Sequence, residues 1–235
     1  MNENPMVSIC IPTYEMKGKG DIFLEYSFSK IASQTYKNIE VVVSDHSTTD
    51  LIEKACLRWS DKINVKHYYN DKGRGMFPHN INNAIQKANG DIIKTLCQDD
   101  FLHDENSIQN QLFYFLNGKS YWLVTACCHT TDGENFYKPF YPVYHDNIQY
   151  GQNTISSPSV LMFKNEDVIY FDENLFWLVD VDYYKMLFDK HGLPSICNII
   201  SVVNREDETR VSNSITQDVM YREYTYVLEK YKNKN

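Results

Sequence analysis

No stretch of this chain approaches the ~18 consecutive apolar residues of a membrane-spanning helix. Met1 to Pro5 has neither the basic nor the apolar segment of a secretory signal. Both absences lead us to expect a cytoplasmic protein. The six cysteines, Cys10, Cys56, Cys97, Cys127, Cys128 and Cys197, show no CxxC spacing, so neither a zinc site nor a disulfide framework is indicated. Several lie in apolar runs, where a free thiol behaves as a small hydrophobe. Positive charge is also short. A formal net charge of -8 argues against a general nucleic-acid binder, which needs a basic surface to displace counterions. The first apolar run leads into Ile11-Pro12-Thr13-Tyr14-Glu15 instead of a G-x-G-x-x-G turn, and no G-x-x-x-x-G-K-[ST] loop occurs. A Rossmann oxidoreductase is therefore disfavoured and a P-loop NTPase is not indicated.

What is present suits one compact unit. The chain has 235 residues, 43% hydrophobic and 23% charged, enough for a sizeable core and far from the balance of disordered chains. Eighteen tyrosines offer rings and hydroxyls that suit carbohydrate surfaces, although core packing is the commoner reason for them. The first hundred residues alternate β-branched runs with helical patterns, as in a parallel sheet covered by helices. Strands are predicted at Val7 to Ile11, Ile39 to Ser44, Asn64 to Tyr68 and Asp91 to Cys97, with helices at Asp21 to Ser33, Asp50 to Trp59 and Pro78 to Ala88. Further on, helices are predicted at Asn106 to Leu116, Asp180 to Lys190 and Gln217 to Lys232. Strands are predicted at Trp122 to Cys127, Ser159 to Phe163 and Ile196 to Val203. The aromatic stretch Phe136 to Tyr150 has no period and reads as a loop or lid.

Ligands of open parallel sheets bind beyond the carboxyl ends of the strands. Polar residues collect there: Pro12-Thr13-Tyr14-Glu15, Ser44-Asp45-His46-Ser47, Lys72-Gly73-Arg74-Gly75 and Gln98-Asp99-Asp100. Adjacent carboxylates repel unless a cation is near, and magnesium or manganese would relieve that repulsion while bridging phosphates. A solvated turn is the ordinary alternative for Asp99-Asp100, as a turn or cap is for Asp45. Their joint place on one rim favours a site. Phe176-Trp177-Leu178-Val179-Asp180-Val181-Asp182 puts two acids at a helix start, where capping alone is worth about 0.3–1 kcal/mol each. The polar run from Asn204 to Asn213 carries arginines that can reach a diphosphate or simply face solvent. Lys94, inside a central strand, must pair with a carboxylate or escape to an edge.

The order of these segments resembles the inverting family two glycosyltransferases of GT-A fold. Val7-Ser8-Ile9-Cys10-Ile11-Pro12-Thr13-Tyr14-Glu15 looks like the family's first strand and base-binding loop, and Asn38 to Asp50 like its second strand with a nucleotide-binding aspartate. Asn80 to Asp100 looks like its helix, glycine turn and metal-site strand. The resemblance implies an α/β, mostly parallel sheet flanked by helices. A nucleotide-sugar-binding half would run over about 1–103 and an acceptor-binding, catalytic half over about 104–235, within one domain.

It further implies that Thr13, Glu15 and Asp45 bind the nucleoside. Pro12, Tyr14, Arg74, Asn80 and Gln98 belong with the donor on the same rim. Asp99, with Asp100 beside it, would hold Mn2+ or Mg2+, while Arg210 and Ser212 would close over the diphosphate. Asp180 would be the catalytic base, with Asp182 as the alternative, and Ser159 and Trp177 would lie at the acceptor. Cys97, Val179 and His46 depart from the family's usual aspartate, glutamate and glycine.

The resulting expectation is a metal-dependent transfer of a hexosyl group, with inversion, from a nucleotide sugar, UDP-linked by analogy. The acceptor would be a hydroxyl of a saccharide or lipid-linked saccharide in bacterial surface-polysaccharide synthesis. The competing readings are a nucleotidyltransferase, against which Ile11-Pro12-Thr13-Tyr14-Glu15 argues, and a non-catalytic carbohydrate-binding protein. The tyrosine- and lysine-rich C-terminal helix, with Tyr221, Arg222, Tyr224, Tyr226, Lys230, Tyr231, Lys232 and Lys234, either touches an anionic membrane surface or packs on the domain.

Overall fold

The computed structural model describes residues 4–210 and 215–232. Its spine is a nine-stranded sheet in the order β3-β2-β1-β4-β8-β6-β9-β5, with β7 paired to β6. The first four strands are β1 (Val7–Thr13), β2 (Ile39–Asp45), β3 (Val65–Tyr69) and β4 (Ile92–Thr95). They are parallel and linked by the helices α1 (Gly20–Ala32), α2 (Leu51–Trp59) and α3 (Phe77–Lys87). The chain then adds β5 (Phe101–Leu102), α4 (Ser107–Asn117), β6 (Trp122–Thr130), β7 (Tyr137–Phe140), β8 (Leu161–Lys164), α5 (Val179–His191), β9 (Ser195–Arg205) and α6 (Gln217–Tyr231). β8 enters antiparallel between β4 and β6, whereas β9 runs parallel to β6. The long ladders are the parallel ones, seven pairs between β1 and β2 and eight between β6 and β9. The expected α/β architecture with a mostly parallel sheet is therefore the one observed.

Alternation along the strands divides the core into two layers. Ile9, Ile11, Val41 and Val43 face α1, α2 and α4 through Leu24, Phe28, Ile52, Ala55 and Leu112. Cys10, Val42 and Ile93 face α3, α5 and α6 through Ile81, Ile85, Tyr184, Leu187 and Val227. Each fully buried Ile or Leu contributes about 1.5–3 kcal/mol relative to exposure. Strands covered on both sides are mostly apolar along their length, so most of the polar groups that can meet a ligand lie at their ends. That is why the rim, and not the sheet, carries chemistry.

Three expectations change. The Phe136 to Tyr150 stretch is not one loose lid, because Tyr137–Phe140 pairs with β6 and Ile148 is fully buried. The Ser159 to Phe163 strand begins at Leu161, after a 3-10 turn over Pro158–Val160. Lys94 neither pairs with a carboxylate nor escapes. It is fully buried and its ammonium donates to the carbonyls of Ser159 and Leu161. Burial pushes its pKa down to about 7, against the pull of nearby Asp100.

α6 packs on the domain through Glu223, Val227 and Tyr231, spaced four residues apart. Lys230 turns inward to Asp172 and Asp182, Tyr221 stays 77% exposed, and Lys234 lies outside the described residues. No helix among the described residues is long and apolar enough to cross a membrane.

Candidate active site

The carboxyl ends of β1 and β4 and the start of α5 surround a cleft of about 540 Å³. One end is walled by Pro12, Tyr14, His46, Gly75, Met76, Phe77 and Asn80. Asn80, from α3, joins two strand ends: its amide nitrogen donates to the Thr13 carbonyl at 2.9 Å and its oxygen accepts from Ser44 at 2.6 Å. His46 gathers the loop after β3. The Gly75 N–H donates to Nδ1 at 3.3 Å, which leaves Nε2 to donate to the Lys72 carbonyl at 3.1 Å.

Thr13 and Asp45 are buried behind this wall, and Glu15 and Arg74 brace its loops without lining the cleft. Thr13 and Asp45 are register partners. Asp45 is buried, one oxygen accepting from the Ser47 N–H at 2.8 Å and the other lying 2.9 Å from His67 Nε2. Burial alone would raise its pKa; the His67 and Ser47 hydrogen bonds outweigh it and hold the carboxyl below its ordinary value. Glu15 accepts from the backbone and hydroxyl of Thr48, tying the β1 loop to the β2 loop. Arg74 is spent on the Ser47 carbonyl and the Tyr69 hydroxyl.

The floor is the turn after β4. Gln98 lines the cleft, but its amide works as a staple: Oε1 accepts from Tyr14 N–H at 2.9 Å, while Nε2 donates to Tyr14 and Gly20 carbonyls at 3.0 and 2.7 Å. A side chain at Gly20 would overlap both the Tyr14 carbonyl and the Gln98 amide, so glycine is required there.

The adjacent acids have different surroundings. Asp100 is buried, with Oδ2 accepting from Ser159 at 2.5 Å and Ser157 at 3.3 Å, and Oδ1 from the Arg205 N–H at 3.0 Å. Asp99 lines the cleft and receives no hydrogen bond from another described residue. Burial, then the charge of Asp100, raises its pKa, while Arg210 and Arg205 oppose the rise.

This arrangement corrects one expectation. Ser159 is fully buried beneath the floor, donating to Asp100 and accepting from the Cys97 N–H at 2.8 Å, and cannot meet an acceptor. Asp100 lines the cleft as well, but it already accepts from Ser159, Ser157 and Arg205, so Asp99 is the less engaged of the two carboxylates. Cys97 remains a thiol, its pKa raised well above the usual value by burial and by Asp100, Asp99 and Asp180.

Phe176, Trp177, Leu178 and Asp180 line the same cleft as Asp99. Asp180 sits in the first turn of α5, one oxygen accepting from Val181 N–H at 2.8 Å and the other from Asn153 at 2.7 Å. Each oxygen keeps a lone pair. Burial pushes the carboxyl up to about 6 despite the Val181 bond, a value suited to exchanging a proton near neutrality. Asp182 points the other way. It is fully buried, held by Lys230 at 2.8 Å and Tyr231 at 2.8 Å, and anchors α6 instead of facing substrate.

Two arginines complete the cleft. Arg205 is 8% exposed, its guanidinium lies against the rings of Phe23, Tyr26 and Phe101, and its Nε has no hydrogen-bond partner among the described residues. Arg210 is more open, 3.8 Å from Glu206. Ser212 lies outside the described residues.

Asn153, Met76 and Phe77 join the cleft without a signal in the sequence. Asn153 comes from the aperiodic stretch before β8, next to Ser156, whose φ of 94° is costly for a residue with a side chain.

A sequence profile for Glycosyl transferase family 2 matches residues 8–188. An uncharacterized glycosyltransferase of Rickettsia typhi is 32% identical over 109 residues, 46% of this chain and 31% of that relative. A GalNAc(5)-diNAcBac-PP-undecaprenol beta-1,3-glucosyltransferase of Campylobacter jejuni is 26% identical over 99 residues, 42% of this chain and 31% of that protein. The aligned segments thus span less than a third of these relatives' length. Among solved structures, S. aureus TarS in complex with UDP-GlcNAc superposes with a TM-score of 0.72 at 16% identity, covering 97% of this chain and 67% of that one. The mannosyltransferase PcManGT from Pyrobaculum calidifontis, in complex with GDP-Man and Mn2+, gives 0.64 at 13% identity over 100% of this chain and 77% of that one. The likeness to both structures is one of fold. The profile runs from β1 into α5 and so takes in the rim, the Asp99 floor and Asp180. The chain belongs to glycosyl transferase family 2.

Proposed function

We propose that this protein is a metal-dependent, inverting hexosyltransferase that uses a nucleotide sugar, UDP-linked, and glycosylates a hydroxyl of a lipid-linked saccharide at the cytoplasmic face of a bacterial membrane. The observation that carries this reading is that two carboxylates, Asp99 and Asp180, line one cleft. The UDP and UDP-GlcNAc complexes of TarS and the polyprenol-linked acceptor in the Campylobacter relative's name support the substrate classes.

The residues fit a divalent ion. Asp99 is a hard oxygen donor, and Mg2+-type sites commonly use one or two carboxylates together with substrate phosphates. No cluster of three His, Cys, Asp or Glu ligands occurs among the described residues, so the donor's phosphates would complete the shell. When bound, Mn2+ or Mg2+ neutralises charge developing on the departing diphosphate. Arg205 and Arg210 add positive charge at the same end of the cleft.

Pro12, Tyr14, His46, Met76, Phe77 and Asn80 form the slot for the nucleoside, while Thr13, Asp45 and Glu15 keep it in shape from behind. Trp177 offers a ring to the acceptor sugar. Asp180 removes the acceptor's proton as its oxygen attacks the anomeric carbon opposite the diphosphate, which inverts the configuration. A buried carboxyl near pKa 6 is ionised at neutral pH and basic enough for that step.

The test is release of nucleoside diphosphate from a panel of nucleotide sugars, with and without Mn2+ and with saccharide acceptors. Acceptor-stimulated release that needs the ion, and that falls about 10²–10³-fold in Asp99→Ala, is expected. Sugar binding with no release from any donor would instead make the protein a carbohydrate-binding module.

A further inference from the structure

The buried stripe of α6 contains a charge where the pattern calls for an apolar residue. Glu223, Val227 and Tyr231 lie on its inward face, and Glu223 is 1% exposed. A carboxylate in that position is untenable unless its oxygens are bonded. Oε1 accepts from the Phe176 N–H at 2.9 Å, and Oε2 accepts from Trp177 and Leu178 N–H groups at 2.8 and 3.0 Å. These three consecutive amides form a backbone anion cradle at the positive end of α5. The Arg222 guanidinium is 3.9 Å away and largely exposed, so backbone amides do most of the balancing.

The three residues whose amides are held all line the cleft, and Asp180 follows Leu178 by two positions. Farther along α6, Lys230 and Tyr231 grip Asp182 on the next face of α5. α6 lies wholly beyond the 8–188 stretch matched by the family profile. The base and the acceptor ring are thus aimed from a helix that the profile does not include.

We propose that Glu223 is a positioning residue for transfer: its carboxylate fixes the entry to α5 so that Trp177 and Asp180 face the acceptor. It touches no substrate and acts through the 176–178 backbone. This rests on the reading of Asp180 as base. The donor end shares none of these contacts, so loss of Glu223 separates acceptor-side from donor-side effects. Misplacement of a base by about 1 Å is enough for a large rate loss.

Glu223→Gln keeps size but turns donors toward the amides, and Glu223→Asp keeps charge while shortening the reach. Val227→Ala, on the same stripe, loosens packing without touching the cradle. We expect Glu223→Gln to lower kcat more than tenfold with donor KM within twofold. The acid limb of its pH profile should move below the limb near 6, because a loosened Asp180 is better solvated. Glu223→Asp should recover part of kcat. Val227→Ala should lower Tm while leaving kcat and the limb in place.

Amide exchange of the ligand-free proteins reads the cradle directly: residues 176–178 should exchange at least tenfold faster in Glu223→Gln than in Val227→Ala. This measurement needs no transfer reaction, so an inactive wild type would overturn the catalytic reading and leave the cradle to be judged by exchange. Equal exchange in both variants, or a kcat loss in Val227→Ala matching that of Glu223→Gln, would overturn the proposal.

Discussion

The two ends of the cleft are built by different means. At the donor end, the strand ends that carry Pro12, Tyr14 and His46 are held by the seven-pair ladder between β1 and β2, and the side chains of Asn80 and Gln98 add bonds to it. At the acceptor end, the placement of Asp180 and Trp177 depends on single side chains from segments outside the parallel ladders, Asn153 from a turn before β8 and Glu223 from α6. A rim fixed by parallel ladders is rigid because moving it breaks several backbone bonds together. A wall fixed by single side-chain bonds can be disabled by one substitution. The donor end should therefore tolerate changes behind its wall better than the acceptor end does.

The sharpest way to break this comparison is Asp180→Asn. We expect transfer to fall about 10²–10⁴-fold with nucleotide affinity unchanged, measured by steady-state kinetics and by titration with UDP and Mn2+. A comparable loss in Asp182→Asn with Asp180→Asn active would reverse the assignment of the base.

Next comes the pH profile. Burial raises the Asp180 pKa, so the base is protonated and idle below about 6 and ionised above it. At saturating Mn2+, which would keep Asp99 ionised although burial and Asp100 push its pKa up to about 7, kcat/KM should rise with pH through that value, about tenfold lower at one unit below it. A flat profile from pH 5 to 8 would show that no group of this kind limits the step.

Asp182→Ala separates structure from chemistry on the same helix. It removes one of the two carboxylates that Lys230 binds and a hydrogen bond from Tyr231. These two bonds to a buried carboxylate together should cost about 3–5 kcal/mol of stability in urea unfolding. The folded fraction should keep most of its kcat, because Glu223 still holds the entry to α5. Smallest is Ser159→Ala, which withdraws one hydrogen bond from buried Asp100. About 1.5–3 kcal/mol of stability should be lost, without a change in acceptor KM, because Ser159 lies under the floor. A raised acceptor KM would bring Ser159 back to the acceptor.

Legibility follows the same division. β1, β2 and their helices were readable because burial on both faces forces continuous apolar runs, as in Val41, Val42 and Val43, punctuated by polar ends. β5 was not, since Phe101–Leu102 is too short to show a period. Nor was β7, whose Tyr137–Phe140 edge is half exposed and alternates weakly. Asp99 and Asp100 look alike in sequence, and only the hydroxyls of Ser157 and Ser159 make one of them a bracket. Asp180 and Asp182 are likewise twins in the first turn of α5. Two residues along a helix turn a side chain by about 200°, so they face opposite sides, but the chain alone does not say which side is the cleft.

The sequence by itself determined the layered α/β plan and the polar rim at the strand ends, because apolar periodicity and turn residues are local properties; the acid pairs Asp99-Asp100 and Asp180/Asp182 took their roles from the family resemblance. Only the tertiary structure left Asp99 less engaged than Asp100 and put Asp180, not Asp182, on the cleft. It also put Lys94 under Ser159 and Leu161, and gave Glu223 its three amides. Those outcomes depend on hydrogen bonds between residues tens of positions apart, and a buried charge shows its purpose only through the partner that makes its burial tolerable.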